Sequence, residues 1–212
     1  MSTCFIILLL CVGSLLADNK EPRCENGTLT TAMRRKILDF HNKVRTRLVE
    51  GQEKDLPKAK RMRNLTWDCN LEKKAESEFT TDCLIDPKKV KNRGFNQYVQ
   101  DLYDDDAKIT YGKDLKPALT WWWDRRSEIL KRSNVLTHEG LLPFANMANE
   151  KNKKIGCIYK FDDGLLVFVC LYDKVDFDRD SNEFHQGFWI FGTGWVRESV
   201  QRCTAAGIDP PL

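Results

Sequence analysis

The stretch IGCIYKFDDGLLVFVCLY, residues 155–172, constrains the fold more than any other part of the chain. Asp163-Gly164 sits between two apolar runs rich in Val, Ile and aromatic residues. That pair is a strong signal for a two-residue hairpin turn. Such a turn pairs residues whose numbers sum to 327, so 162 faces 165 and Cys157 faces Cys170. Counting outward from the turn, Cys157 and Cys170 form a non-hydrogen-bonded pair. Cα atoms in such a pair lie about 4.5 Å apart, within reach of a disulfide. The second run, LLVFVCLY, has no polar alternation, so both of its faces need cover.

Helices to cover those faces are present. TTAMRRKILDFHNKVRTRLVEG places Met33, Ile37, Phe40, Val44 and Leu48 at steps of four and three, the mark of an amphipathic helix. Thr30 or Thr31 can cap it and Gly51 can end it. TWDCNLEKKAESEFTTDC spaces Trp67, Leu71, Ala75 and Phe79 as a second helix, with Asp68 as cap. A third lies in ALTWWWDRRSEILKR. At about 100° per residue, Leu115, Leu119, Trp122, Ile129 and Leu130 share one side. Trp122 then belongs to the core and Trp123 to its edge, while Trp121 points away, under a loop or into solvent. Arg126 falls inside the stripe, with its head carried to solvent or to a carboxylate. Arg125 lies on its border. Residues 84–114, with YDDDAK at their centre, read as a long loop. Helices before and beside a doubly covered sheet predict an α+β fold: a three-layer α-β-α sandwich with a central antiparallel sheet, tied by disulfides.

The amino terminus and the cysteines set the compartment. Phe5 to Leu16 is a 12-residue apolar run broken by Gly13 and Ser14, too short to span a bilayer, and polar sequence follows at once. It reads as a signal peptide, residues 1–17, cleaved after Ala17. Residues 18–29 form an N-terminal segment and 30–212 a single domain, with a C-terminal extension from about 176. No later run is long enough for a membrane helix. The six remaining cysteines, Cys24, Cys69, Cys83, Cys157, Cys170 and Cys203, suggest three disulfides in an exported chain. A continuous second helix would hold Cys69 and Cys83 about 21 Å apart, so each must pair with Cys24 or Cys203. Asn26-Gly-Thr and Asn64-Leu-Thr are glycosylation sequons.

The formal net charge of +3 is unevenly spread. Residues 18–63 hold 13 Lys/Arg against 7 Asp/Glu, and 64–212 hold 21 against 24. The basic run PKAKRMR, residues 57–63, reads as a solvated loop or as a contact for heparin-like glycans or anionic membranes. Nothing suggests specific nucleic-acid reading.

The segments DFHNKVRTRL, PKAKRMRNLTWDCNLEKKAE, ALTWWWDRR, PFANM and IGCIYKF…VFVCLY fall in an order and spacing that resembles the CAP superfamily. Within it the chain is most similar to the secreted venom-allergen-like, Ancylostoma-secreted-protein-like branch of parasitic nematodes. The resemblance covers roughly residues 30–175 and implies the same α-β-α sandwich. The family usually carries two His and two Glu around a central cleft, often with a divalent metal. Here those positions hold Pro87, Phe95, Arg125 and Pro143. They retain no imidazole and no carboxylate, and Arg125 would repel a cation. His41, in the HNxxR segment, reads as a structural histidine; His138 and His185 lack metal-ligand spacing. No nucleophile motif is present either.

These readings together predict no catalytic residues, no metal and no cofactor. The resemblance implies a secreted, non-enzymatic binding protein, a parasite effector meeting an extracellular protein partner such as a host receptor. A second implied reading is carriage of a sterol or fatty acid, with the loop at 84–114 and its Tyr98, Tyr103 and Tyr111 covering a groove.

Overall fold

The structure, a computed structural model, describes residues 21–54, 56–78, 90, 93–101, 115–128, 139–162 and 165–174. The leader, Pro87, Cys83, Cys203, His138, His185, the Asp163-Gly164 turn itself and the C-terminal extension lie outside them.

Helix α1 spans Thr31–Glu50. Thr30 caps it by accepting from the Met33 amide at 3.2 Å. Gly51, at φ 72°, ends it with the left-handed turn that glycine adopts at little cost, and the Gln52 amide closes back onto the Arg47 carbonyl at 2.9 Å. Strand β1 is only Thr66–Trp67, and α2 follows over Cys69–Ser77. Asp68 caps α2 by accepting from the amides of Asn70 and Leu71 at 2.8 and 3.1 Å. Trp67 is therefore not part of the helix, as its spacing suggested. It precedes the cap and pairs with Ile155.

Strand β2, Phe95–Asp101, lies inside the region that read as loop. Helix α3, Lys116–Asp124, tightens into a 3-10 turn at Arg125–Glu128. Helix α4 covers Leu142–Ala148, and β3, Lys154–Asp162, pairs with β4, Leu165–Tyr172. The hairpin register sums to 327 throughout, and Cys157 and Cys170 are bonded with Cα atoms 4.0 Å apart. The sheet order is β1-β3-β4-β2, antiparallel except for the two-residue β1 edge.

All eight residues of β4 are buried. Leu166, Phe168, Cys170 and Tyr172 face α1, α3 and α4; Leu165, Val167, Val169 and Leu171 face α2. That division makes the three layers. Helix α2 lies directly on β3: a Cβ at Gly156 would meet the backbone of Asp68 and Leu71 at 2.7 Å. A second disulfide joins Cys24 to Cys69 and fastens the segment before α1 to the first turn of α2. No helix among the described residues is long and apolar enough to cross a membrane.

The three tryptophans take different places. Trp122 is fully buried, stacked on Phe168 at 5.0 Å, and its Nε1 donates to the Gln97 carbonyl at 3.3 Å. Trp123 is buried against Phe144 at 4.9 Å. Trp121 does not stand clear of the fold: it is half-buried edge-on to Tyr98 at 6.0 Å. The unforeseen β2 supplies that tyrosine. Arg126 finds its carboxylate in buried Glu53, 3.0 Å away.

Trp122→Ala should cost about 3–5 kcal/mol, because it removes a fully enclosed ring. Trp121→Ala should cost less, about 1–2 kcal/mol, since that ring is only partly buried. Urea titrations of both variants check the order. Equal losses would mean that the α3 phase is misplaced.

Candidate functional site

The HNxxR segment puts His41, Asn42 and Arg45 on the inner side of α1, and each is held by hydrogen bonds. His41 is fully buried. Its Nδ1 lies 2.8 Å from the Ile37 carbonyl and its Nε2 2.9 Å from the Tyr172 hydroxyl. A carbonyl can only accept, so the proton sits on Nδ1 and the tyrosine donates to Nε2. The same hydroxyl accepts from Asn96 Nδ2 at 3.2 Å. Asn96 also donates to the Pro143 carbonyl at 2.9 Å and accepts from Asn146 at 3.0 Å. Asn146 in turn donates to the Phe95 carbonyl, and Asn152 donates to the Asn146 carbonyl, each at 2.9 Å. This chain of polar groups links α1, α4, β2 and β4 through the core.

Burial lowers the His41 pKa from 6.5 to about 4, with the Arg45 charge adding to the effect against the Ile37 hydrogen bond. Burial pushes the Tyr172 hydroxyl well above its ordinary value. At neutral pH both are therefore uncharged partners and neither is poised to move a proton.

Arg45 is fully buried yet meets no carboxylate. Its five hydrogen bonds go to main-chain carbonyls: Arg63 twice, at 3.0 and 2.8 Å, Met147 and Asn149 at 2.9 Å, and Asn152 at 3.2 Å. Burial lowers it to about 10, so it stays charged at neutral pH. Asn42 clamps Leu65, accepting from its amide at 2.7 Å and donating to its carbonyl at 3.1 Å. A buried ion pair, missed in the sequence, joins Arg34 to Glu72 through contacts of 2.8 and 2.6 Å. Glu72 also accepts from Trp67 Nε1 at 2.8 Å. With three donors on it, that carboxylate is occupied as well.

The positions that the resemblance singles out do not converge among the described residues. Phe95 packs with the Leu71, Ala75 and Leu171 cluster on the α2 side of the sheet. Pro143 lies in the first turn of α4 and Arg125 begins the 3-10 turn after α3, both in the opposite layer. The Arg125 guanidinium rests 4.3 Å over the Trp121 ring. These side chains offer no oxygen, imidazole or thiolate donor, so a divalent metal does not fit them. Among the described residues no group of three or more His, Cys, Asp and Glu could hold a metal ion.

Away from the polar core, α1 and the start of α3 enclose a groove of about 390 Å³. Met33, Ile37, Phe40, Leu115 and Leu119 form its apolar lining. Lys36, Lys43 and Lys116 also border it, with Asp39 as the one acid.

The family model of the cysteine-rich secretory proteins, or CAP, matches residues 38–172, which include all four strands and four helices apart from the first turns of α1. The chain belongs to the CAP family. One relative is the Ancylostoma secreted protein of Ancylostoma caninum, 28% identical over 160 residues. That match takes in 73% of this CAP chain but only 37% of the relative, so the chain spans well under half of it. Hookworm platelet inhibitor 1, also of Ancylostoma caninum, is 25% identical over 81% of this chain and 79% of its own length. The solved structure of BmVAL-1 superposes with a TM-score of 0.61 at 27% identity, covering 71% of this chain and 80% of that one. The relatives are secreted and venom proteins of animals, which points this CAP chain to the extracellular space.

The sequence signalled His41 as structural, but not its partners. Tyr172, Asn96, Asn146 and Asn152 come from segments 55 to 131 residues away along the chain, and no local spacing links them.

His41 makes stability depend on pH. Its folded pKa lies below its ordinary one, so unfolding takes up a proton between the two values. Its contribution is complete above pH 6.5 and is lost as pH falls towards 4, by about 3 kcal/mol in all. Urea unfolding of wild type and His41→Gln across that window should show the variant losing less stability on acidification. Parallel losses would count against the buried neutral imidazole.

Proposed function

We propose that this CAP chain is a secreted, non-enzymatic protein that binds an extracellular protein of a host. The observation that carries the reading is the state of its polar groups. Phe95, Arg125 and Pro143 stand where the family cleft would need ligands or acids. His41, Tyr172 and Glu72, three groups with acid-base capacity in the core, are buried and already hydrogen-bonded, and the buried carboxylates of Glu53 and Glu78 are held in ion pairs. What remains is a rigid scaffold with a rewritten surface. Hookworm platelet inhibitor 1 is, by its name, an inhibitor of platelets, which supports an effector role here. Asn26 and Asn64 are both exposed, as glycan acceptors must be, and we assign glycans to them in the exported protein.

In this reading Arg125, half-buried over Trp121 at the end of α3, contributes to the binding face. The mature, glycosylated chain should bind a member of a panel of purified host extracellular receptors. Arg125→Glu should weaken that binding by reversing a charge at the face, while the unfolding midpoint stays near wild type. A variant that binds as tightly as wild type would move the face elsewhere.

The groove between α1 and α3 favours a second reading, carriage of an amphipathic lipid. Its volume falls within the range of small-molecule sites, about 300–1,000 Å³. Its lining is apolar, and its lysines suit a carboxylate head group. Organic extraction of the purified protein followed by mass spectrometry should then recover a fatty acid at one per chain. Phe40→Glu should abolish it by placing a charge on the apolar wall. Extracts without lipid, from a protein that also takes up no added fatty acid, would sink this second reading.

A further inference from the structure

The surface above Arg45 brings exposed cations together from separate segments. The Arg45 guanidinium holds the carbonyls of Arg63, Asn149 and Asn152 around one point. The Thr66 amide donates to the Lys153 carbonyl at 2.9 Å, and the Lys174 amide donates to Asn152 Oδ1 at 2.9 Å. The strands of chain at 60–66, 149–154 and 173–174 therefore run side by side. Their inward residues are Leu65 and Asn152, both buried, and Met62, partly buried against the core. Their outward residues include Lys60, Arg61, Arg63, Lys153 and Lys174, all exposed.

None of these five cations is paired with a carboxylate among the described residues. The contrast is with Arg34, Arg35, Arg47, Arg126 and Lys154, each of which has an acidic partner. Two acids share the surface. Glu150 is exposed; Asp173 turns one carboxylate oxygen onto the amides of Lys153 and Lys154. The balance stays positive.

We propose that this strip is a docking surface for a sulfated glycosaminoglycan. A polyanion of many sulfates matches a group of cations carried on adjacent backbone segments. The buried Arg45 holds those segments in place before the ligand arrives, so little backbone order is lost on binding. A lipid bilayer fits less well. Membrane-surface binding is strengthened by apolar side chains that enter the interface. The one exposed large hydrophobic residue among the described ones is Phe161, at the far end of β3 from Lys153. The inference stands apart from the protein-partner and lipid readings, which concern α3 and the groove.

The mature protein should bind immobilised heparin and be released by salt, since exposed charges are screened. Asn64 neighbours Arg63 in this strip, so Asn64→Gln, which removes the glycan assigned there, should bind at least as tightly, and weaker binding would count against the strip. Lys60→Gln, Arg61→Gln, Arg63→Gln and Lys153→Gln in one variant should weaken binding on the order of 30-fold or more, from four lost surface contacts. A charge-matched control removes Arg23, Arg35, Lys54 and Lys73, all exposed elsewhere, and should bind nearly as wild type. Equal weakening in the two variants would overturn the proposal, because it would reduce the effect to net charge. Undiminished binding to desulfated heparin would overturn it too. So would tighter binding to phosphatidylserine-containing vesicles than to heparin, which would make the surface a membrane contact. A readout on the wild-type protein guards against a misfolded variant: heparin should protect Lys60 and Lys153 from acetylation. Failure to protect them would sink the idea.

Discussion

The fold depends on one buried cation. A guanidinium taken out of water is costly unless every N–H finds an acceptor. Arg45 finds five hydrogen bonds without a single carboxylate. The acceptors are main-chain carbonyls from the segment before β1 and from the end of α4 and the turn after it. Two irregular connections, which have no secondary structure of their own to hold them, thus share one fixed centre. The arrangement works both ways: those carbonyls are buried polar groups that would also be left without partners if the guanidinium were absent. His41 and Asn42, beside Arg45 on α1, extend the same work to Tyr172 and Leu65.

The other side of the sheet is held differently. There the first turn of α2 lies on β3, at a distance that only Gly156 permits. The Arg34–Glu72 pair crosses from α1 to α2, and the Cys24–Cys69 bond fastens the preceding segment to the same turn. Gly27 belongs to this corner as well, since a side chain there would run into the Arg34–Glu72 pair. The Asn26-Gly27 step of the sequon thus has a packing reason, and Asn26 takes the positive φ of 58° that asparagine tolerates better than most residues.

With His41, Asn42, Arg45 and Glu72 held by hydrogen bonds inside the fold, the proposed binding role rests on surfaces. The HNxxR residues and the hairpin disulfide share few contacts with Phe95, Arg125 and Pro143, so the side chains at those three positions bear little on the fold. Pro143 and Phe95 touch the buried network only through their carbonyls, which any residue supplies. Substitution of their side chains leaves Asn96 and Asn146 satisfied. That separation explains how a chain with Phe95, Arg125 and Pro143 still builds the same sandwich.

The sequence by itself determined the elements whose signals are local. The register of β3 and β4 follows from a two-residue turn and a period of two, and α1 from its caps and its 3.6-residue stripe. The need for helices on both faces follows from LLVFVCLY. Tertiary structure alone decided the rest. Strand β2 was not legible because Asn96, Gln97 and Gln100 break its apolar pattern, and its pairing with β4 is settled some 70 residues along the chain. Trp67 matched the helical spacing, but Asp68 took the cap and left it in β1. Trp121 was placed by the tyrosine that β2 brings beneath it. The choice of Cys24 over Cys203 for Cys69, the Arg34–Glu72 pair and the acceptors of Arg45 all join residues distant in sequence. Periodicity reports which face of an element is apolar. It carries no information about which distant carbonyl will meet a buried charge, because that is fixed only when the layers pack.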